Sequence, residues 1–395
     1  MSKNSILKTL ACVLAAVLLL SACGAGGSGS SKSGVIKVGI LGPLTGGVSE
    51  YGIAVRDGAK LCIEQLNEKG GIGGNKKIEI IEYDEEGDPT QALTGYNDLV
   101  DKGVTAIIGS VTSGPTMAVV REGFNDNMPM ITASATAAGV TYNEDGTIFT
   151  NMFRSCFIDP FQGEKMADFS TGVLNAKKAA VIFNTGVDYS IGLKDAFLEK
   201  AAAVGMEVVA IEGYADAAVD FQSQLTNIAA KSPDVLFVPD YYNTVALLSQ
   251  QARNAGVTAT LLGADGWDTV VEVMSDRAPV EGSYYCSGYS SEDTTPMVQE
   301  FLSAFKTKYG SDPNMFSAQG YDAAKILIAA LEKTEASMAG KAGTEDYRKA
   351  VISAMKATDM DCVTGHVTYD KYNNPIKSAV IININGGEAR FWGKY

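Results

Sequence analysis

From residue 35 onward the chain alternates short β-branched and aliphatic runs, each long enough for one strand, with longer segments whose apolar residues recur at helical spacing. The first run, 35–41 (VIKVGIL), ends at Gly42-Pro43 and leads into a segment over about 50–69 carrying Ala54, Ala59, Ile63 and Leu66. The cycle repeats with strands predicted at 77–83, 105–109 and 128–132 and helices at 89–102 and 114–125. A second series follows a strand at 148–153. Its strands fall at 179–184, 207–212, 235–239 and 260–263, and its helices at 159–175, 189–204, 221–230 and 244–255. Each crossover between parallel strands lays a helix on the sheet, so both faces become covered. The pattern predicts an α/β fold of two doubly wound parallel-sheet lobes. Beyond Asp265 the order loosens: a strand near 282–289, helices at 296–309, 316–335 and 345–357, then 365–369 and 379–384 as a hairpin-like pair around Asn373-Asn374-Pro375.

The first 23 residues have another character. Lys3 and Lys8 precede an apolar run over 10–20 that stops at Leu20-Ser21-Ala22-Cys23. That run falls short of the roughly 20 residues a spanning helix needs, and small residues precede the cysteine. The segment 1–23 reads as a signal peptide with a lipobox, and diacylation of Cys23 would anchor the mature chain stably in a membrane. Residues 24–34, nearly all Gly, Ser and Ala, form a flexible tether. The remainder suits two domains at ~100–200 residues each. Loss of Lys3 and Lys8 takes the formal charge from −14 to −16, which excludes nucleic acid as a partner.

Catalytic and metal chemistry find little support. Cys62, Cys156, Cys286 and Cys362 lack paired spacing, so no zinc site is expected, and buried thiols in apolar contexts act as core residues. Whether any of them pair cannot be read from spacing. The one histidine, His366, stands in Thr364-Gly365-His366-Val367 without a nearby nucleophile or second ligand, and no Gly-x-Ser-x-Gly elbow occurs. The chain is expected to be no enzyme and to carry no cofactor. Gly39-Ile40-Leu41-Gly42-Pro43-Leu44-Thr45-Gly46-Gly47 matches neither dinucleotide nor P-loop pattern. The cluster Gly70-Gly71-Ile72-Gly73-Gly74 between helix and strand reads as turn punctuation.

Open α/β sheets bind ligands at the carboxyl ends of their strands. In the first series these ends carry hydroxyls: Ser110-Val111-Thr112-Ser113-Gly114 opens a helix whose free N–H groups favour an anion, and Thr132-Ala133-Ser134-Ala135-Thr136 follows the next strand. Capping of the helix is an equally good reading of the first loop, and both can hold. In the second series the ends carry acids and aromatics: Asp188-Tyr189, Asp240-Tyr241-Tyr242 and Ala264-Asp265-Gly266-Trp267-Asp268. A carboxylate there suits an ammonium, and aromatic faces suit cations and apolar groups.

Gly42-Pro43-Leu44-Thr45-Gly46 with Tyr51-Gly52, Asn67-Glu68-Lys69-Gly70-Gly71-Ile72, Tyr83-Asp84, Asp88-Pro89-Thr90-Gln91-Ala92 and Gln251-Ala252-Arg253-Asn254-Ala255-Gly256 resemble, in order, motifs of the leucine/isoleucine/valine-binding proteins. The resemblance covers the chain from Val35 and implies a type I periplasmic binding protein, a Venus-flytrap whose lobes are joined by a multi-strand hinge near Arg154, Tyr285 and Tyr369. It implies lobe boundaries of 35–154 plus 285–368 and 155–284 plus 369–395. It further implies that Ser113 and Thr136 receive a ligand α-carboxylate, that the Ser134 carbonyl and Asp265 hold its α-ammonium, and that Tyr189 and Tyr241 close over it. Tyr51, Val111 and Phe316 would line the side-chain pocket. Trp267 joins this set through its position beside Asp265. The implied role is that of a monomeric, lipid-anchored extracytoplasmic substrate-binding protein of an ABC importer, delivering a small amino acid, branched-chain or otherwise apolar, to a membrane permease. An amide, short peptide or aromatic acid as ligand, or a sensory module, is the alternative. The chain makes two departures from the family: aspartate stands at 265 where branched-chain binders carry glutamate, and Gly87 and Thr112 replace a cysteine pair, so that the loop bearing Ser113 must be held by other means.

Overall fold

The computed structural model describes residues 34–143 and 145–395. Residues 1–33, with the signal segment, Cys23 and most of the tether, lie outside the described residues. The first sheet takes its strands in the order β2-β1-β3-β4-β5, all parallel, from β1 (Ile36–Gly42), β2 (Ile78–Asp84), β3 (Ala106–Ile108), β4 (Met130–Thr132) and β5 (Met152–Arg154). Between these strands run α1 (Ser49–Glu68), α2 (Pro89–Asp101) and α3 (Ser113–Asn125). Strands β3, β4 and β5 are buried throughout, which is why they read as continuous apolar runs rather than alternating ones.

The second sheet is ordered β14-β13-β10-β9-β8-β6-β7. Its parallel part comprises β6 (Lys178–Asn184), β7 (Glu207–Tyr214), β8 (Val235–Phe237), β9 (Thr260–Gly263) and β10 (Tyr284–Ser287), to which β13 (Val380–Asn385) and β14 (Glu388–Lys394) add antiparallel. Helices α4 (Asp159–Gly172), α5 (Asp188–Ala203), α6 (Gln222–Lys231) and α7 (Tyr242–Asn254) cover it, with a short α8 (Val270–Val273) after β9. The chain then returns through α9 (Pro296–Tyr309), α10 (Met315–Met338) and α11 (Glu345–Lys356), and α10 packs along α1. A two-stranded sheet of β11 (Asp359–Cys362) and β12 (Gly365–Thr368) completes the first lobe.

Two expectations require correction. Strand β10 belongs to the second sheet, so the return crossing follows Ser287 instead of preceding Tyr285. Segments 365–369 and 379–384 do not pair with each other: β12 pairs with β11, and β13 with β14. The Gly386-Gly387 turn, both residues at positive φ, closes the β13–β14 hairpin, whereas the chain at Asn373-Asn374-Pro375 crosses between lobes. The cysteines Cys62, Cys156, Cys286 and Cys362 are free and buried.

One close approach sets the geometry of the cleft. A Cβ on Gly58 would fall 1.9 Å from the Ser317 carbonyl oxygen, and one on Gly320 would fall 2.2 Å from that of Val55. Only glycine at both positions lets the α1 and α10 backbones touch. That contact carries Phe316, at the start of α10, onto the ring of Tyr51 at the start of α1, with centroids 4.1 Å apart.

Candidate functional site

The carboxyl ends of both sheets face one another across a closed chamber lined by Tyr51, Val111, Thr112, Ser113, Ser134 and Phe316 from the first lobe and Tyr189, Tyr241, Asp265 and Gly266 from the second. The space between them is about 10 Å³, room for one water-sized body. The lobes touch directly: the Tyr51 hydroxyl donates to the Gly266 carbonyl and accepts from the Tyr242 N–H at 3.0 Å. Tyr189 stacks on Tyr241 with centroids 4.8 Å apart, and Tyr241 meets Tyr51 edge-on.

On the first lobe two of the loop hydroxyls are committed to neighbouring carbonyls. Thr132 Oγ1 donates to the Ser110 carbonyl at 2.6 Å, Ser134 Oγ to the Val111 carbonyl at 2.8 Å, and the Ala137 N–H to Ser113 Oγ at 3.2 Å, lacing the two hydroxyl loops together. Thr112 precedes α3 but its side chain caps nothing, so the first-turn amides stay available to an anion. In the closed form the Ser113 amide faces the Tyr241 hydroxyl. The loop is held by Glu85, which is fully buried. One of its carboxyl oxygens accepts from Ser110 Oγ at 2.7 Å and the other from the Gly87 N–H at 2.8 Å. This carboxyl bridges the two loops whose positions 87 and 112 lack the cysteine pair of the resembled family.

On the second lobe Asp265 is the central group. Its Oδ1 accepts from the Tyr189 hydroxyl at 2.8 Å and from Gln162 Nε2 at 3.1 Å, while its own N–H donates to Gln162 Oε1 at 2.9 Å. The side-chain hydrogen bonds among the described residues all fall on Oδ1, and the Gly266 amide lies beside the carboxylate. Burial pushes its pKa up to about 6, against the lowering effect of Tyr189 and Gln162. Asp159, at the first turn of α4, is a second buried carboxyl beside the Thr136 hydroxyl; neither carboxyl oxygen nor Thr136 Oγ1 has a well-formed hydrogen bond. Burial, opposed by Thr136 and reinforced by Asp265, raises the Asp159 pKa well above the carboxylate range.

Eight of the ten ligand residues expected from sequence therefore line one chamber. Thr136 lies just behind it, with its carbonyl accepting from the Asp159 N–H at 3.0 Å. Trp267 is a correction: its Nε1 donates to the Val238 carbonyl at 2.8 Å, and its ring fills the space over Gly263, where a Cβ would come within 2.3 Å. The tight turn that aims Asp265 into the chamber directs Trp267 into the core of the second lobe. Sequence reasoning missed Gln162 and Asp159. Their three-residue spacing on one helix face was the available signal, hidden because nothing in the sequence pairs residue 162 with residue 265. In the glycine-rich loop after β1 the Leu44 and Thr45 amides donate to Asp84 Oδ1 at 2.8 and 3.2 Å.

Comparison with known proteins shows the family and the fold. A family model described as periplasmic binding protein matches residues 35–388. The Leu/Ile/Val-binding protein BraC3 of Rhizobium johnstonii is 29% identical over 335 residues, which is 85% of this chain and 87% of that one. The branched-chain amino acid transporter substrate binding protein LivJ of Streptococcus pneumoniae, solved with isoleucine, superposes with a TM-score of 0.81 at 29% identity, covering 91% of this chain and 100% of that one. A solute binding protein of an ABC transporter from R. palustris, solved with benzoate, gives a TM-score of 0.80 at 25% identity, covering 91% and 96%.

Proposed function

Because the chain belongs to the periplasmic binding protein family, whose members are extracytoplasmic solute-binding proteins, we propose that it is the lipid-anchored substrate-binding component of an ABC importer and that it captures a small apolar amino acid. The observation that carries this reading is the polarity of the chamber. Uncommitted helix-terminal amides and Ser113 stand on one wall, and the Asp265 carboxyl on the other, with aromatic faces between. A zwitterion meets both walls at once. Its carboxylate takes the α3 amides in place of the Tyr241 hydroxyl, its ammonium pairs with Asp265, and its side chain packs on Tyr51, Val111 and Phe316. A chamber of about 10 Å³ admits no amino acid, so the lobes part about the three crossing segments for entry and close again around the ligand. The closed face is the form offered to the permease, and Cys23 keeps the protein at the membrane.

The aromatic walls also favour a second reading, an aromatic acid as ligand, as in the benzoate-bound relative. Asp265 opposes it, because a ligand without a cation leaves that carboxyl buried and unpaired. Thermal-shift measurements on the protein from Gly34 onward separate the two, since a ligand that binds only the native state raises Tm. The expected result is a concentration-dependent rise with leucine, isoleucine, valine or alanine and none with their des-amino analogues. A rise with benzoate or the des-amino acids alone would overturn the amino-acid reading.

A further inference from the structure

The first crossing segment does more than join the lobes. Running from Arg154 to Asp159, it is bonded along its length to the loop that carries Ser134 and Thr136. The Ser155 N–H donates to the Thr132 carbonyl at 3.0 Å, Arg154 Nη1 to that of Ala135 at 2.6 Å, and Arg154 Nη2 to that of Ala137 at 2.7 Å, while the Ser155 hydroxyl lies between the Gln319 carbonyl at 2.9 Å and that of Ala133 at 3.2 Å. The Asp159 N–H holds the Thr136 carbonyl. The guanidinium thus grips the carbonyls on either side of Thr136. It is fully buried, and no carboxylate pairs with it among the described residues.

Nη2 also donates to Thr141 Oγ1 at 3.2 Å, and the Nε donor turns the other way. Arg154 Nε donates to Asn374 Oδ1 at 2.9 Å, and Thr141 Oγ1 donates to the same oxygen at 3.1 Å. Asn374 belongs to the third crossing segment, between β12 and β13, which is tied back again where the Tyr369 hydroxyl donates to the Arg154 carbonyl at 2.9 Å. A buried cation without a counter-ion is costly, and an apolar residue of the same size would serve packing better. What an apolar residue could not do is fix two carbonyls and one amide oxygen in a single plane, which the rigid guanidinium fork does.

We propose that Arg154 and Asn374 are positioning residues that couple lobe rotation to the ligand loop. The third crossing sets the plane of the guanidinium, and the guanidinium sets the peptide units around Thr136. The loop therefore takes its binding geometry only when the crossing segments take theirs, and ligand seated on the loop favours the same hinge geometry in return.

Asn374 allows the test without removing the buried charge. Asn374→Leu deletes the acceptor at similar size, whereas Asn374→Asp retains Oδ1. Hydrogen exchange is followed at the amides of residues 133–137 and, as reference, at β6 and β8, alongside calorimetry with L-isoleucine. With Asn374→Leu, exchange at 133–137 is expected to rise about tenfold while the reference amides hold, and isoleucine affinity to fall by a similar factor, an ordinary coupling strength. Asn374→Asp is expected to restore both. Loop protection unchanged in Asn374→Leu overturns the proposal, as does an Asn374→Asp protein that behaves like the leucine variant, since packing alone would then explain the position. If Asn374→Leu fails to fold, Asn374→Ser, which removes the amide oxygen and adds no bulk, is held to the same exchange criterion. The affinity arm rests on the amino-acid reading; should the parent protein not bind isoleucine, that reading fails while the exchange arm still decides the coupling.

Discussion

The first lobe meets the chamber with neutral groups, the α3 amides, Ser113 and Ser134, whereas the second meets it with a carboxyl and two tyrosines. The neutral wall is rigid because two of its hydroxyls are spent on neighbouring carbonyls and because Glu85 braces it from behind. The acidic wall is held by side chains at one oxygen: Gln162 and Tyr189 both bond Oδ1 of Asp265. The difference implies a division of labour. Neutral dipoles share the ligand's negative charge at modest strength per donor, while the positive charge falls largely on ionised groups whose loss cannot be shared.

That contrast breaks most sharply at Asp265. Asp265→Ala is expected to weaken amino-acid binding by about 3 kcal/mol or more, over a hundredfold, because the ammonium is left buried and unpaired. Calorimetry showing a loss no larger than at the neutral wall would end the distinction. The second effect is in pH. Burial raises the Asp265 pKa to about 6, above its value in the unfolded chain, so the folded form binds an extra proton between those values and loses stability as pH rises through that window. Ligand binding runs in the opposite sense, since the ammonium requires the ionised carboxyl. Affinity should be flat above neutrality and weaken about tenfold per unit below pH 6, with proton release on binding above that point diminishing to none. A pH-independent dissociation constant between pH 5 and 8 would contradict it. The smallest effect belongs to the neutral wall. Ser113→Ala should cost about 1 kcal/mol, roughly fivefold in affinity, because the α3 amides remain. A hundredfold loss in fluorescence titration would show that the hydroxyl, and not the helix terminus, carries the carboxylate.

Legibility followed the range of the interactions. The strands and helices around the chamber were readable because hydrophobic period and turn residues are local, and the long helices fall within a few residues of their expected bounds. Tyr189, Tyr241 and Asp265 were readable because they follow strands at the ligand-facing end. Trp267 shared that position and went elsewhere, since the side on which a residue leaves a tight turn depends on the cavity that receives it, here the space over Gly263. The pairing of β12 and β13 misled for a similar reason: two strand-like runs near a turn motif resemble a hairpin until β11 and β14, one on either side, compete for them.

The sequence by itself determined the alternation of strands and helices, the two lobes and the chemical character of each strand end, because each is a pattern within a few residues. The tertiary structure decided which ends meet: Tyr51 with Gly266, Gln162 with Asp265, Arg154 with Asn374. Those pairs join residues from 103 to 220 positions apart, and their partners are selected by backbone approach and burial, which no local pattern encodes.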